Sequence, residues 1–214
     1  MSFNCVVVKL KEHVLDGHPF DVIPPEPFPP EGWEVIESKV LASNADKRAT
    51  NFFATEKTKI EIVFGAYKEV WPCQGAATYV KCSNMTGWKF AGAQIKSLTY
   101  NLTDFPYSSV FDGSYRNVKM TCDKNSLRCE IESLGYDKTL EAGQTVEAFT
   151  DSKQLIIGGS VAQSWVSESW LKFVSFKIWE DDVLMRDIVV LKNTETSVTE
   201  MYDKVTMQFL SAPS

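Results

Sequence analysis

The chain has 214 residues, a length typical of one domain or of one domain with an extension. Hydrophobic residues make up 44% and charged residues 23%, which excludes a wholly disordered chain. Lysine and arginine number 22 against 28 acidic residues, so the net charge is −6, and no stretch is densely basic. Because nucleic-acid binding needs a basic surface that releases counterions, we predict no nucleic-acid partner.

The chain begins with an apolar, β-branched segment, Phe3–Leu10, that we predict to be a strand. Lys9 and Lys11 interrupt its apolar run before that run reaches the length of a signal peptide. No other stretch approaches the ~18 apolar residues of a membrane span. We therefore expect a protein made in a cytoplasm, without a signal peptide or a transmembrane segment.

A proline-rich stretch follows, with six of the nine prolines between Pro19 and Pro30. Residues 24–30 would form an extended rod of roughly 22 Å at ~3.1 Å per residue. We accordingly divide the chain into an arm at 1–18, a linker at 19–32 and a main domain at 33–214.

A lone strand cannot bury its own apolar face, so the arm is expected to pair with a partner. One interpretation makes it an anchor that adds a strand to another chain, and the other makes it an edge strand of its own domain. In the first case, the anchoring residues would be Phe3, Val6, Val7, Val8 and Leu10.

From Trp33 onward the sequence predicts one strand after another. Lys57–Phe64 alternates, with Ile60, Ile62 and Phe64 on one face. Turn residues separate the further predicted strands, which are Ala77–Cys82, Gly87–Ala93, Tyr115–Cys122, Leu127–Glu132, Gln144–Thr150, Lys153–Ile157, Leu171–Trp179 and Val183–Leu191. No helical period exceeds about three turns. We predict an all-β fold, an antiparallel two-sheet jelly-roll sandwich with under ~10% helix.

The last third of the chain contains an irregular strand. Its apolar residues change parity within Leu171–Trp179, which predicts a bulge near Phe173–Val174 that keeps both sets facing the core. Glu180–Asp182 then forms a solvated turn. The following run is apolar on both faces, as in a central strand, and the neighbours Arg186 and Asp187 must point to opposite faces and find separate partners.

Histidines and cysteines limit the chemistry that the main domain can perform. The two histidines, His13 and His18, both precede the linker, so the domain can build neither a Ser-His-Asp triad nor a histidine metal site. The five cysteines form no C-x-x-C motif, and we predict no metal and no cofactor. A disulfide between Cys122 and Cys129 is conceivable in a hairpin, but a chain without a signal peptide favours free thiols.

Two motifs that flank the domain resemble those of a known family. The C-terminal motif comprises Ser175–Trp179, Leu184, Arg186–Asp187 and Tyr202–Val205, and the other is VIESKVLASNADKRATNFFATEKTKIEIVF. Together they resemble the laminin-G-like jelly rolls of bacteriophage virion proteins and gut-bacterial surface proteins, over about Trp33 to Leu210. Trp179 stands where that family usually has tyrosine, and Val189–Val190 replaces its usual proline.

The resemblance implies a concanavalin-like fold, which hosts both glycosidases and lectins. Glucanases of this architecture place three acids at alternating positions on one strand face. No such triplet occurs, since Glu61 has no acidic partner two residues away and Glu180–Asp182 is consecutive. We therefore expect a protein without enzymatic activity.

Sugar binding needs exposed aromatic rings, often on loops. Trp71, Tyr107 and Trp165 lie in loop-like contexts and are the candidate carbohydrate-binding residues, although partial burial under loops is the competing interpretation. The other tryptophans in strand-like stretches, which are Trp33, Trp88, Trp170 and Trp179, are expected in the core.

Two classes of function follow from the resemblance. In the first, the chain is a phage virion surface protein, such as a capsid decoration, fibre or tail component, that attaches to a host-surface glycan and joins other virion proteins through its arm. In the second, it is a purely structural virion assembly protein without a ligand. A bacterial carbohydrate-binding module remains an alternative, and a homo-oligomer is left open.

Overall fold

The computed structural model of the chain describes residues 27–42, 44–67, 70–85, 88–159 and 171–213. Strands account for 54% of the described residues and helices for 5%, and two antiparallel sheets pack as a sandwich. The predicted all-β sandwich, consistent with a jelly roll, is confirmed. None of the helices in these ranges has the length and apolar character needed to cross a membrane.

The larger sheet contains ten strands in the described part of the chain. In chain order they are β1 (Trp33–Ile36), β2 (Lys39–Leu41), β4 (Thr58–Ala66), β9 (Asn117–Cys122), β10 (Ser126–Ile131), β11 (Tyr136–Glu141), β13 (Leu171–Glu180), β14 (Val183–Asn193), β15 (Thr199–Asp203) and β16 (Gln208–Phe209). Their spatial order is β11-β10-β9-β4-β13-β14-β15-β16, with β1 paired to β14 and β2 to β13.

The smaller sheet has six described strands in the order β3-β12-β5-β6-β7-β8. They are β3 (Arg48–Ala49), β5 (Val70–Gln74), β6 (Thr78–Met85), β7 (Trp88–Ile95), β8 (Leu98–Asn101) and β12 (Ile156–Ile157). One α-helical turn, α1 (Tyr107–Val110), and two 3-10 turns at Asn44–Asp46 and Glu132–Leu134 lie in the connections.

The core lies between the inner faces of the two sheets, because alternate residues of each strand point inward. In β4, Ile60, Ile62 and Phe64 are at most 1% exposed, as the alternation predicts. Phe173 and Phe176 of β13 are fully buried beside them. Burying each such side chain stabilises the fold by about 1.5–3 kcal/mol, so these central strands supply much of the stability.

The predicted bulge in β13 is confirmed. Its pairing with β4 shifts register between Phe173 and Ser175, so that both Phe173 and Phe176 reach the core. At the same place β13 changes its second partner, pairing with β2 at Leu171–Phe173 and with β14 from Phe176 onward. The predicted central position of β14, between β13 and β15, is also confirmed.

One predicted strand is wrong. Gln144–Thr150 is a loop that, within the part of the chain that the structure describes, pairs only through an isolated bridge between Thr150 and Thr55. Its backbone is held by side chains instead, as where the Phe149 amide donates to the Glu56 carboxylate at 3.1 Å. The strand predicted over Lys153–Ile157 is shorter than expected, because only Ile156–Ile157 pairs as β12.

Two further predictions concern hairpins, namely the acidic turn after β13 and the possible disulfide between Cys122 and Cys129. The predicted turn is confirmed at Asp181 and Asp182, with φ of 49° and 63°, whereas Glu180 ends strand β13 and accepts hydrogen bonds from Thr55 and Thr58. In the β9–β10 hairpin, Leu127 lies opposite Cys122 and Met120 opposite Cys129, so the two cysteines do not face each other. Both are buried free thiols.

The end of the predicted linker contacts the domain. The ring of Phe28 lies 5.9 Å from that of Tyr202 in β15, and Lys204 Nζ lies 5.7 Å from the Phe28 ring centre. Strand β1 begins at Trp33, whose ring packs on Phe209 at 4.5 Å. The anchoring residues Phe3, Val6, Val7, Val8 and Leu10 lie outside the described residues, so the arm stays a prediction.

Gly75 allows the turn between β5 and β6 to be held by one carboxylate. Asp151, which is 4% exposed, accepts hydrogen bonds from the amides of Ala76, Ala77 and Thr78. A Cβ at Gly75 would lie 2.5 Å from an Asp151 carboxylate oxygen. We expect Gly75→Ala to displace that carboxylate and to lower the free energy of unfolding by about 1–3 kcal/mol, measured by chemical denaturation.

Gly143→Ala is the matched control for this substitution. A Cβ at Gly143 would meet no atom within 4 Å, so this variant should be neutral or slightly more stable. Equal loss of stability in the two variants would contradict the role of the Asp151 contact.

Candidate functional site

Trp71 lies on the outer face of the smaller sheet, in strand β5 rather than in the predicted loop. Its ring is partly buried and lies 5.0 Å from the ring of Tyr79 in β6. Tyr79 in turn lies 6.5 Å from Phe90 in β7, and Lys81 Nζ lies 4.2 Å from the Trp71 ring centre. These residues form one group on neighbouring strands, which we call the aromatic face.

Polar groups at the aromatic face are held in fixed orientations. The Tyr79 hydroxyl donates to Gln94 Oε1 at 2.9 Å, and Gln94 Nε2 donates to the backbone carbonyl of Lys96 at 2.8 Å. Burial raises the pKa of Tyr79, so its hydroxyl stays protonated at neutral pH. An amide and a phenol set beside two rings can offer both hydrogen bonds and stacking to a ligand.

The other two candidate carbohydrate-binding residues do not join this group. Tyr107 lies in α1, not in a loop, and is only 7% exposed, with its ring packed 5.0 Å from Phe105. Desolvation raises its pKa to about 12. Tyr107 is therefore a buried residue rather than a surface for stacking. Trp165 lies outside the described residues.

Two tryptophans expected in the core are only partly buried. Trp33 packs on Phe209, and Trp179 lies on the outer face of the larger sheet with Lys59 Nζ 5.1 Å from its ring. Both tryptophans lie in strands, as predicted, but at positions that face away from the core. Trp170 and the side chain of Trp88 lie outside the description.

The C-terminal motif builds a polar network. Arg186 donates to the carbonyls of Thr50 and Asn51, and its Nε lies 3.5 Å from the Asp203 carboxylate. Asp187 pairs instead with Lys204. The prediction of separate partners for Arg186 and Asp187 is thus confirmed, and the motif residues join β14 to β15 and to the loop after β3.

The sequence analysis looked for acidic residues along a single strand, and it therefore missed a pair of glutamates that lie on two different strands. Lys119 in β9 contacts Glu61 of β4 at 3.3 Å and Glu130 of β10 at 3.4 Å, on the outer face of the larger sheet. Burial lowers the pKa of Lys119, but its hydrogen bond to Glu61 and the charges of both glutamates outweigh burial and raise it. The ammonium therefore stays charged between the two carboxylates. Cross-strand alternation would have placed all three side chains on one face.

A metal site does not form among the parts of the chain that the structure describes, where no three His, Cys, Asp or Glu side chains converge. The buried carboxylates Asp151 and Asp203 both have backbone amides as partners, which indicates a role in folding.

Comparisons with known proteins report only a distant structural likeness. No protein-family model matches the chain, and no curated protein matches it. Among solved structures, the full extracellular region of zebrafish Gpr126/Adgrg6 is similar with a TM-score of 0.45 and 14% sequence identity. That match covers 72% of this chain and 22% of the other, so the chain spans about a fifth of that protein's length.

Proposed function

We propose that this chain is a non-enzymatic recognition module that binds a surface glycan through the aromatic face. The observation that carries the proposal is the partly buried pair of Trp71 and Tyr79 on the outside of the smaller sheet. Outward strand positions usually carry polar residues, so packing in the core does not explain why large aromatic rings occupy these positions.

A sugar ring offers an apolar face to an aromatic ring and hydroxyl groups to polar neighbours. Tyr79 and Gln94 are already hydrogen bonded to each other, so little side-chain freedom would be lost on binding. Lys81, which is only 3% exposed, packs against the Trp71 ring and helps to hold it in place.

The setting that we propose is the surface of a virion. It is supported by the resemblance of Ser175–Trp179 and Tyr202–Val205 to laminin-G-like jelly rolls of phage virion proteins, together with the sandwich fold. The module would be a capsid decoration, fibre or tail component, and the arm at 1–18 would join it to other virion proteins.

Absence of catalysis is part of the proposal and is supported by the arrangement around Lys119. A glycosidase needs one carboxyl group that holds a proton and another that is ionised. Glu61 and Glu130 instead both contact the Lys119 ammonium, so each of these carboxyl groups is engaged in an ion pair.

The test is binding of the full chain to an array of bacterial lipopolysaccharides, capsular polysaccharides and teichoic acids. We expect Trp71→Ala to lower the affinity for the bound glycan about tenfold, because a lost stacking contact is worth about 1–1.5 kcal/mol. Circular dichroism of the variant verifies that it is folded.

Trp179→Ala is the control, since Trp179 is also a partly buried tryptophan beside a lysine, but on the other sheet. It should leave binding unchanged. If the array shows no binding, or both variants bind as the parent does, a structural component without a ligand replaces this proposal.

A further inference from the structure

A polar cleft of about 170 Å³ opens at one side of the sandwich, where an edge of the smaller sheet meets an edge of the larger sheet. It shares no residue with the aromatic face. The lining residues come from β3 and the loop after it and from β14 to β16, and they include Asn51, Arg186, Asp203, Gln208 and Phe209.

The charges in this cleft balance each other. Asp203 is 2% exposed and lies 3.5 Å from Arg186 Nε, so one positive and one negative group neutralise each other at the base of the cleft. An anionic or cationic ligand would upset this balance, whereas a neutral polar ligand would not.

Hydrogen-bonding groups remain available around this pair. Counting partners in the described ranges, Arg186 uses three N–H groups on the carbonyls of Thr50, Asn51 and Met185, which leaves two of its five donors. The exposed side-chain amides of Asn51 and Gln208 make no hydrogen bond within the described residues. Each offers both a donor and an acceptor to a ligand.

One wall of the cleft is apolar. Phe209 is 41% exposed, and its ring is fixed by contacts with Trp33 at 4.5 Å and Tyr202 at 5.0 Å. A rigid ring beside free amides can pack against the C–H face of a ligand whose hydroxyl groups face the opposite wall.

We propose that this cleft binds a single neutral pyranose sugar, as a second site independent of the aromatic face. At about 30 Å³ per water molecule, the cleft holds about as many waters as one sugar ring displaces. It is below the ~300 Å³ of typical sites for larger ligands, which limits the ligand to one ring. Its Arg186 donors and its two side-chain amides match hydroxyl groups, each of which both donates and accepts.

Saturation-transfer NMR and calorimetry with the methyl glycosides of glucose, galactose, mannose and N-acetylglucosamine test the site on the full chain. We expect at least one glycoside to bind with a Kd of the order of 1 mM, as suits a small ligand. Gln208→Ala and Asn51→Gly should each weaken that binding at least fivefold. Glycine suits position 51, because Asn51 has a φ of 53°.

Controls separate this site from the aromatic face. Asn101→Ala removes an exposed amide from another edge strand and should leave binding unchanged, as should Trp71→Ala. The proposal is overturned if no glycoside binds, if Gln208→Ala and Asn51→Gly both bind as the parent does, or if phosphate competes with the bound sugar. If Trp71→Ala were the one variant that lost sugar binding, the sugar would be bound at the aromatic face instead.

Discussion

Asp203→Ala is expected to lower the free energy of unfolding by about 3–5 kcal/mol, because it removes a buried charge partner and three hydrogen-bond acceptor contacts. The Asp203 carboxylate accepts from the amides of Asp187 and Val205 and from the Thr206 hydroxyl, at 2.8–3.1 Å. It also balances Arg186. Alanine would leave the amides of Asp187 and Val205 without their acceptor and the Arg186 guanidinium without its opposite charge.

An exposed aspartate provides the control for this experiment. Asp137 accepts two hydrogen bonds from Arg128 at 3.0 and 2.7 Å, but both side chains are about half exposed. Asp137→Ala should therefore cost less than about 1 kcal/mol in urea denaturation. Asp203→Asn, which keeps one acceptor oxygen, should fall between the two. Similar losses for Asp203→Ala and Asp137→Ala would refute the assigned role.

The contacts made by the C-terminal motif explain how the domain folds more than what it binds. Arg186, Asp187 and Tyr202–Val205 were found in the sequence through a family resemblance, and the structure places them in contacts that join β14 to β15. Contacts that hold strands together do not depend on which ligand is bound, so these residues could predict a sandwich but not a binding partner.

The alternation of apolar and polar residues correctly predicted the strands whose two faces differ most in burial. β4 and β13 were recognised because buried and outward residues alternate along them, and even the bulge of β13 left a change of parity. Gln144–Thr150 does not alternate in this way, because Val146, at 6% exposure, is flanked by exposed residues on both sides. Among the described residues its backbone pairs only through the bridge at Thr150, and the pattern of one segment carries no information about its partner.

The aromatic face was only partly visible in the sequence. Trp71 was noticed, but its neighbour Pro72 suggested a loop, whereas the structure accommodates this proline at a register shift between β5 and β6. Tyr79 was missed, although Val80 and Cys82 point into the core and their neighbours must point outward. The contact between the two rings depends on the pairing of β5 with β6, which only the structure provides.

The protein is expected to lose stability steeply between pH 9 and 12, because its interior holds four protonated thiols. Burial raises the pKa of Cys73 and of Cys129 to about 12, and raises the pKa values of Cys82 and Cys122 well above their usual 9.0. In the unfolded chain these thiols ionise near pH 9, so above that pH the unfolded state binds fewer protons than the native state. Stability is therefore fully present below pH 9 and falls as the pH rises.

The size of this effect follows from the number of thiols. Each contributes at most about 1.4 kcal/mol per pH unit, so four together approach the whole stability of a typical domain within two units. Urea denaturation between pH 8 and 11 should show this slope, and Cys73→Ala should make it shallower by about one quarter while costing some stability at pH 8. Labelling with iodoacetamide at pH 8, followed by peptide mapping, should leave these four cysteines unmodified until the protein unfolds. A stability that stays constant to pH 11, or labelling of the four thiols in the folded protein, would show that they do not resist ionisation in the core.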